Sequence, residues 1–144
     1  MEIERVSYVS GPERVVEETF DCIWVLLGSA LPPKPFANQA LQWIDWKLQG
    51  AVSRFALGKP LRIESPTYVP TRRRLSAPLL VVEPPKKPDW EAFSKNCEGM
   101  GLKRVLVLSD AVERLAELEV VMRKLPAKGI EQLVIGTEEA VGRS

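Results

Sequence analysis

The sequence predicts an α/β domain: a mixed, largely parallel central sheet with helices on both faces. Three observations carry that reading. Cys22–Leu27, Ala77–Val82 and Val105–Leu108 are uninterrupted or nearly uninterrupted apolar runs, the pattern of strands covered on both sides. Other segments place apolar residues at steps of three and four, the helical period. In the second half these segments alternate as strand, helix, strand, helix, strand, which builds a parallel sheet between helical layers. The chain has 144 residues, one domain's worth, and residues 1–144 are read as a single domain.

Taken in order, Met1 to Ser10 alternates around Ile3, Val6 and Tyr8, as a half-buried first strand does. Gly11-Pro12 breaks it. Val15 to Thr19 fits either a short helical turn or a strand extension. Cys22 to Leu27 is a central strand, ended by Gly28-Ser29. Leu31-Pro32-Pro33-Lys34-Pro35 cannot be helical and forms a rigid lead-in. Phe36 to Leu57 then reads as one helix of about six turns. Its stripe is Leu41, Ile44, Leu48, Ala51, Val52 and Phe55, and Gly58 and Pro60 stop it. Leu61–Ile63 and Tyr68–Val69 are short extended pieces, and Thr71 to Leu75 is a basic loop.

Ala77 to Val82 is a second buried strand, closed by Pro84-Pro85. Pro88-Asp89-Trp90-Glu91 opens a helix, with proline and acids where a helix N-terminus favours them. Trp90, Phe93 and Cys97 (or Asn96) lie on one side of it. Gly99-Met100-Gly101 resembles the start of a dinucleotide fingerprint but precedes a strand, so a helix C-cap is the better reading. Val105 to Leu108 is the third buried strand. Ser109-Asp110 is an N-cap signal for a helix through Val112, Leu115, Leu118 and Met122, stopped by Pro126. Ile130 to Ile135 is the last strand, and residues 136–144 read as a flexible tail.

Apolar residues make up 45% and charged residues 27% of the chain, with a net charge of +1. Such a balance gives no strong field for nucleic acid or anionic lipid. Histidine is absent. That excludes Ser-His-Asp and Cys-His catalysis and histidine-based zinc sites. Cys22 and Cys97 lack metal-ligand spacing; Cys22 reads as a buried thiol, and a disulfide between the two stays open. The acids at Glu17-Glu18, Glu117 with Glu119, and Glu138-Glu139 show no convergence of the kind carboxylate catalysis needs. No catalytic residue, metal or cofactor is expected. The longest apolar run is too short for a bilayer, and no targeting segment is evident, so a soluble cytoplasmic protein is expected.

Two features stand apart. Arg72-Arg73-Arg74 is the one dense charge run, able to hold phosphates or an acidic partner. Trp43 and Trp46, three apart on the long helix, either pack in the core or anchor an interface. They and the three arginines are the candidate partner contacts. The strand-end rim at Ser109-Asp110, or the Gly28-Ser29 turn, is where an open α/β sheet binds a ligand.

Ala40 to Arg54 (Ala-Leu-Gln-Trp-Ile-Asp-Trp-Lys-Leu-Gln-Gly-Ala-Val-Ser-Arg) is similar to a helix in the N-terminal domain of the leucyl aminopeptidase family of peptidases. The resemblance extends in outline over residues 1–135. It implies a fold related to macro domains. In that family, hydrolysis belongs to a separate C-terminal domain with a two-metal site and an Asn-Thr-Asp-Ala-Glu-Gly-Arg type motif. No such motif occurs in this sequence, and no catalytic residue carries over. The resemblance therefore implies a stand-alone, non-catalytic domain acting by protein interaction or self-association. The alternatives are a module for a nucleotide or ADP-ribose-like ligand, a fragment of a metal-dependent aminopeptidase, and nucleic-acid contact through Arg72–Arg74.

Overall fold

A computed structural model describes residues 1–8, 11–28, 38–50, 52, 66–84, 87–125 and 129–137. Six strands form one sheet: β1 (Glu2–Ser7), β2 (Cys22–Leu26), β3 (Thr67–Pro70), β4 (Leu79–Glu83), β5 (Arg104–Ser109) and β6 (Gln132–Thr137). Their order is β1-β6-β5-β2-β4-β3. All neighbours run parallel except β3, which pairs antiparallel with β4. The sheet is thus mixed and mostly parallel.

Alternation along each strand divides the core into two layers. Ile23, Val25 and Leu27 face one layer with Leu80, Val82, Leu106 and Leu108. That layer is closed by α1 (Pro12–Val16) and α2 (Gln39–Lys47). Cys22, Trp24 and Leu26 face the other, closed by α3 (Trp90–Met100) and α4 (Val112–Lys124). Every residue of β2 is buried, which is why its sequence shows no polar alternation.

Local chemistry explains the helix ends. The Asp89 carboxylate accepts from the Ala92 N–H at 3.0 Å and caps α3. Gly101, at φ 70°, closes α3 in the left-handed region, where a missing Cβ removes the steric penalty. Trp90 Nε1 donates to the Leu125 carbonyl at 2.8 Å and ties α3 to the end of α4.

Three expectations change, and one reading left open is settled. The long helix is not continuous: α2 has nine residues and stops at a Leu48 cap. Gln49 and Gly50 follow at φ 57° and 78°, and Val52 beyond them is helical again. A helix cannot run through two left-handed residues, whatever the apolar period on either side. Phe55, Gly58, Pro60 and Leu61–Ile63 lie outside the described residues. Val15 and Val16 belong to a short helix. Gly136 and Thr137 belong to β6, not to a tail. Finally, the strand predicted at Ala77 begins at Leu79 and takes in Glu83. Cys22 and Cys97 are both buried and both free.

Candidate functional site

The strands β2 and β5 lie side by side, yet their connections leave in opposite directions, β2 toward β3 and β4 and β5 toward β6. In an open α/β sheet, ligands settle outside the carboxyl ends of two such strands. Here that gap is stitched shut. The Gly28 N–H donates to Asp110 Oδ1 at 2.6 Å. Ser109 Oγ donates to the Leu26 carbonyl at 2.7 Å and accepts from the Ala111 N–H at 3.0 Å. A Cβ on Gly28 would lie 2.6 Å from the Ala111 Cβ, so only glycine allows the two loops to come this close.

Asn38 completes the closure. Its Oδ1 accepts from the Leu41 N–H at 3.1 Å, capping α2, and its Nδ2 donates to the Ser109 carbonyl at 2.8 Å. The sequence reading placed Asn38 inside the long helix. Its residue type, standing just before the apolar period, was the available cap signal. Ser109-Asp110 does not cap α4. Ala111 takes the cap position and no side chain accepts there.

The open space sits beside this closure, over the carboxyl ends of β1, β5 and β6. It is a cleft of about 200 Å³. Val112, Leu115 and Ala116 of α4 and Ile135 of β6 supply apolar wall; Arg5, Tyr8 and Thr137 also line it. Gly136 lies in the floor, where a Cβ would meet Leu108 Cδ2 at 2.6 Å.

Much of its polar equipment is already engaged within the protein. Arg5 donates Nε to Glu119 Oε1 at 2.9 Å and a second N–H to Glu119 Oε2. That pairing holds Glu119 below the usual carboxylate range. Burial raises the Asp110 carboxyl above its ordinary value, against the lowering pull of its Gly28 hydrogen bond and of Arg114. Asp110 and Glu113 at the head of α4 oppose an incoming anion. Neither acid has a partner base placed for proton transfer among the described residues, and no three Cys, Asp or Glu side chains gather there as a metal site requires. Burial also pushes both thiols up, Cys97 to about 12, which leaves them protonated and poor nucleophiles.

The Asp110 shift yields an expected pH effect. A carboxyl whose pKa is raised by folding stabilises the folded state fully below its unfolded value, and that contribution is lost as pH rises through the folded value. Asp110→Asn escapes the loss while keeping an oxygen for the Gly28 N–H. Relative to the native chain, the variant should gain stability as pH rises from below about 3.8. Urea unfolding at a series of pH values checks this; a difference that does not change with pH would contradict it.

The sequence-derived contact residues lie away from the cleft. Trp43 is half-buried against the core, while Trp46 is 71% exposed. Lys47 Nζ stands 5.7 Å from the Trp43 ring centre and 6.0 Å from that of Trp46. Arg72, Arg73 and Arg74 are all exposed in the turn between β3 and β4, at the opposite edge of the sheet from the cleft. The Arg74 N–H donates to the Thr71 carbonyl at 3.0 Å. Arg72 and Arg73 have φ of 51° and 65°. Positive φ at both central positions is the mark of a type I′ turn, which favours Asn-Gly. Arginine there costs about 1 kcal/mol or more per residue.

No protein-family model matches the chain, and no curated protein does. Solved structures do match in fold. A mutant leucine aminopeptidase from tomato aligns at a TM-score of 0.55 and 13% identity, over 96% of this chain and 33% of its own. A Trypanosoma brucei macrodomain in complex with ADP aligns at 0.52 and 10% identity, over 96% of this chain and 64% of its own. The chain therefore spans a third of the aminopeptidase and just under two thirds of the macrodomain. The Ala40–Arg54 stretch led to the expected fold although it is not itself one helix. The chain has the macro-like α/β fold that it shares with the leucine aminopeptidase N-terminal region and with a macrodomain.

Proposed function

We propose that the domain is non-catalytic and acts through protein contacts, with α2 as a surface on which it self-associates. Trp46 carries the reading. It is the most exposed aromatic ring among the described residues at 71%, and tryptophan is the residue type most enriched among interface anchors. Trp43 beside it is seated on the core, and Lys47 stands near both rings, so the exposed indole projects from a fixed base. The absence of histidine removes the usual general base near neutral pH, which supports a role without hydrolysis.

Sedimentation across the micromolar range tests the proposal. The native chain should grow heavier with concentration, and Trp46→Ala should remain monomeric with an unchanged Tm, since exposed substitutions shift stability by about 0.5 kcal/mol or less. A native chain that stays monomeric would sink it. So would turnover of a leucyl chromogenic substrate above a metal blank with manganese or zinc.

The cleft favours a second reading, a small-ligand module. The macrodomain neighbour holds ADP, and the cleft here lies on the strand ends where such folds bind. Its engaged polar groups and the acids Asp110 and Glu113 weigh against a phosphate-bearing ligand. A rise in Tm with ADP or ADP-ribose, set by the ligand's affinity, would favour this reading over the first.

A further inference from the structure

We infer that the Arg72–Arg74 turn is a docking point for an acidic protein segment, one presenting two or three carboxylates in an extended stretch. The inference concerns this turn alone and does not depend on whether α2 mediates self-association.

The turn is built on a firm base. Thr71 is buried; its Oγ1 donates to the Ala77 carbonyl at 2.7 Å and its N–H to the Pro78 carbonyl at 3.1 Å. Leu75 and Ala77 are buried in the layer beneath α1 and α2. Three guanidinium groups therefore leave a fixed frame. Three other arginines of the described chain are committed: Arg5 and Arg123 to Glu119, and Arg104 to Glu18. None of the ion pairs among the described residues engages Arg72, Arg73 or Arg74. Glu17 accepts from Ser76 Oγ, two residues beyond Arg74, at 2.8 Å.

The backbone supplies an independent observation. Arg72 and Arg73 occupy consecutive left-handed positions where asparagine and glycine would sit with less strain. Strain of this sort collects where a side chain is used. Guanidinium groups pair with carboxylates through two parallel hydrogen bonds, and three of them in succession match a short run of acids. A nucleic-acid duplex fits less well. The chain's net charge is +1, so beyond the three arginines it offers no strong positive field to hold a long polyanion.

Fluorescence anisotropy of labelled hexaglutamate, titrated with the full chain, tests this. Binding should weaken with added salt. Arg72→Asn/Arg73→Gly should bind about tenfold more weakly, the sum of two exposed ion pairs, while its Tm rises by a few degrees as the turn relaxes. Replacing all three arginines by lysine should keep the salt dependence and lose part of the affinity. Absence of hexaglutamate binding, equal binding by the Asn-Gly variant, or a fall in that variant's Tm would overturn the inference. Tighter binding of a DNA duplex than of the peptide would do so as well. Loss of peptide binding with self-association intact would strike this inference and leave the α2 proposal standing.

Discussion

Replacing Trp24 with alanine is expected to destabilise the domain by about 3–5 kcal/mol, a large part of the roughly 5–15 kcal/mol that holds a domain together. Trp24 has no exposed surface. Its ring stacks on Phe93 with centroids 3.7 Å apart and planes 6° from parallel, and lies 6.1 Å from the Trp90 ring. These contacts join β2 to α3. Its Nε1 also donates to Glu83 Oε2 at 3.0 Å, and Glu83 is itself buried. Alanine removes the ring and takes a donor from a buried carboxylate, two losses that add. Trp24→Phe separates them: it keeps much of the volume and deletes the donor, for about 1–3 kcal/mol. Urea unfolding followed by circular dichroism measures both. A loss below about 1 kcal/mol for alanine would mean that this layer is not centred on Trp24.

Gly28→Ala is the second large effect, expected at about 1–3 kcal/mol. The new Cβ would stand 2.6 Å from the Ala111 Cβ and 3.0 Å from Asp110 Oδ1. The loops after β2 and β5 must separate, which stretches the Gly28–Asp110 hydrogen bond. Ala111→Gly removes the opposing methyl group and puts a better cap residue ahead of α4. The double variant should therefore recover most of the loss, with a coupling of about 1 kcal/mol or more in a double-mutant cycle. Strictly additive effects would show that this contact does not hold the gap shut.

The sheet was legible because burial on two faces leaves a plain mark. Val105–Leu108 and Cys22–Leu27 are apolar at every position, as strands covered on both faces are, and their shortness separates them from buried helices. α3 was legible for a different reason: Asp89, Trp90, Phe93, Cys97 and Gly101 put the cap, stripe and stop at their proper spacings. The break in the Phe36–Leu57 stretch was hidden because Leu48 and Val52 keep the helical step across Gln49 and Gly50. Periodicity records which side is wet, and it is silent on a turn that preserves the side. The cleft was hidden more deeply. Its members come from β1, β5, β6 and α4, brought together by a strand order that no local pattern encodes. Ser109-Asp110 was rightly placed at the rim, but its bonds to Leu26 and Gly28 cross between distant segments.

The pairing of β1 with β6 has a consequence for how the molecule is made. Glu2 lies opposite Gln132, and Ser7 opposite Thr137. Of these six strands β1 is made before the others and its partner β6 after them, so β1 must wait before it can dock, because translation delivers residues singly and in order. During that interval Ile3 and Val6 have no sheet to join, while β2, β4 and β5 can already assemble. Long-range closure of this kind slows folding and leaves a nascent strand open to wrong partners. Glu2, Glu4 and Arg5, set among those apolar residues, are the sort of charges that keep a waiting edge soluble.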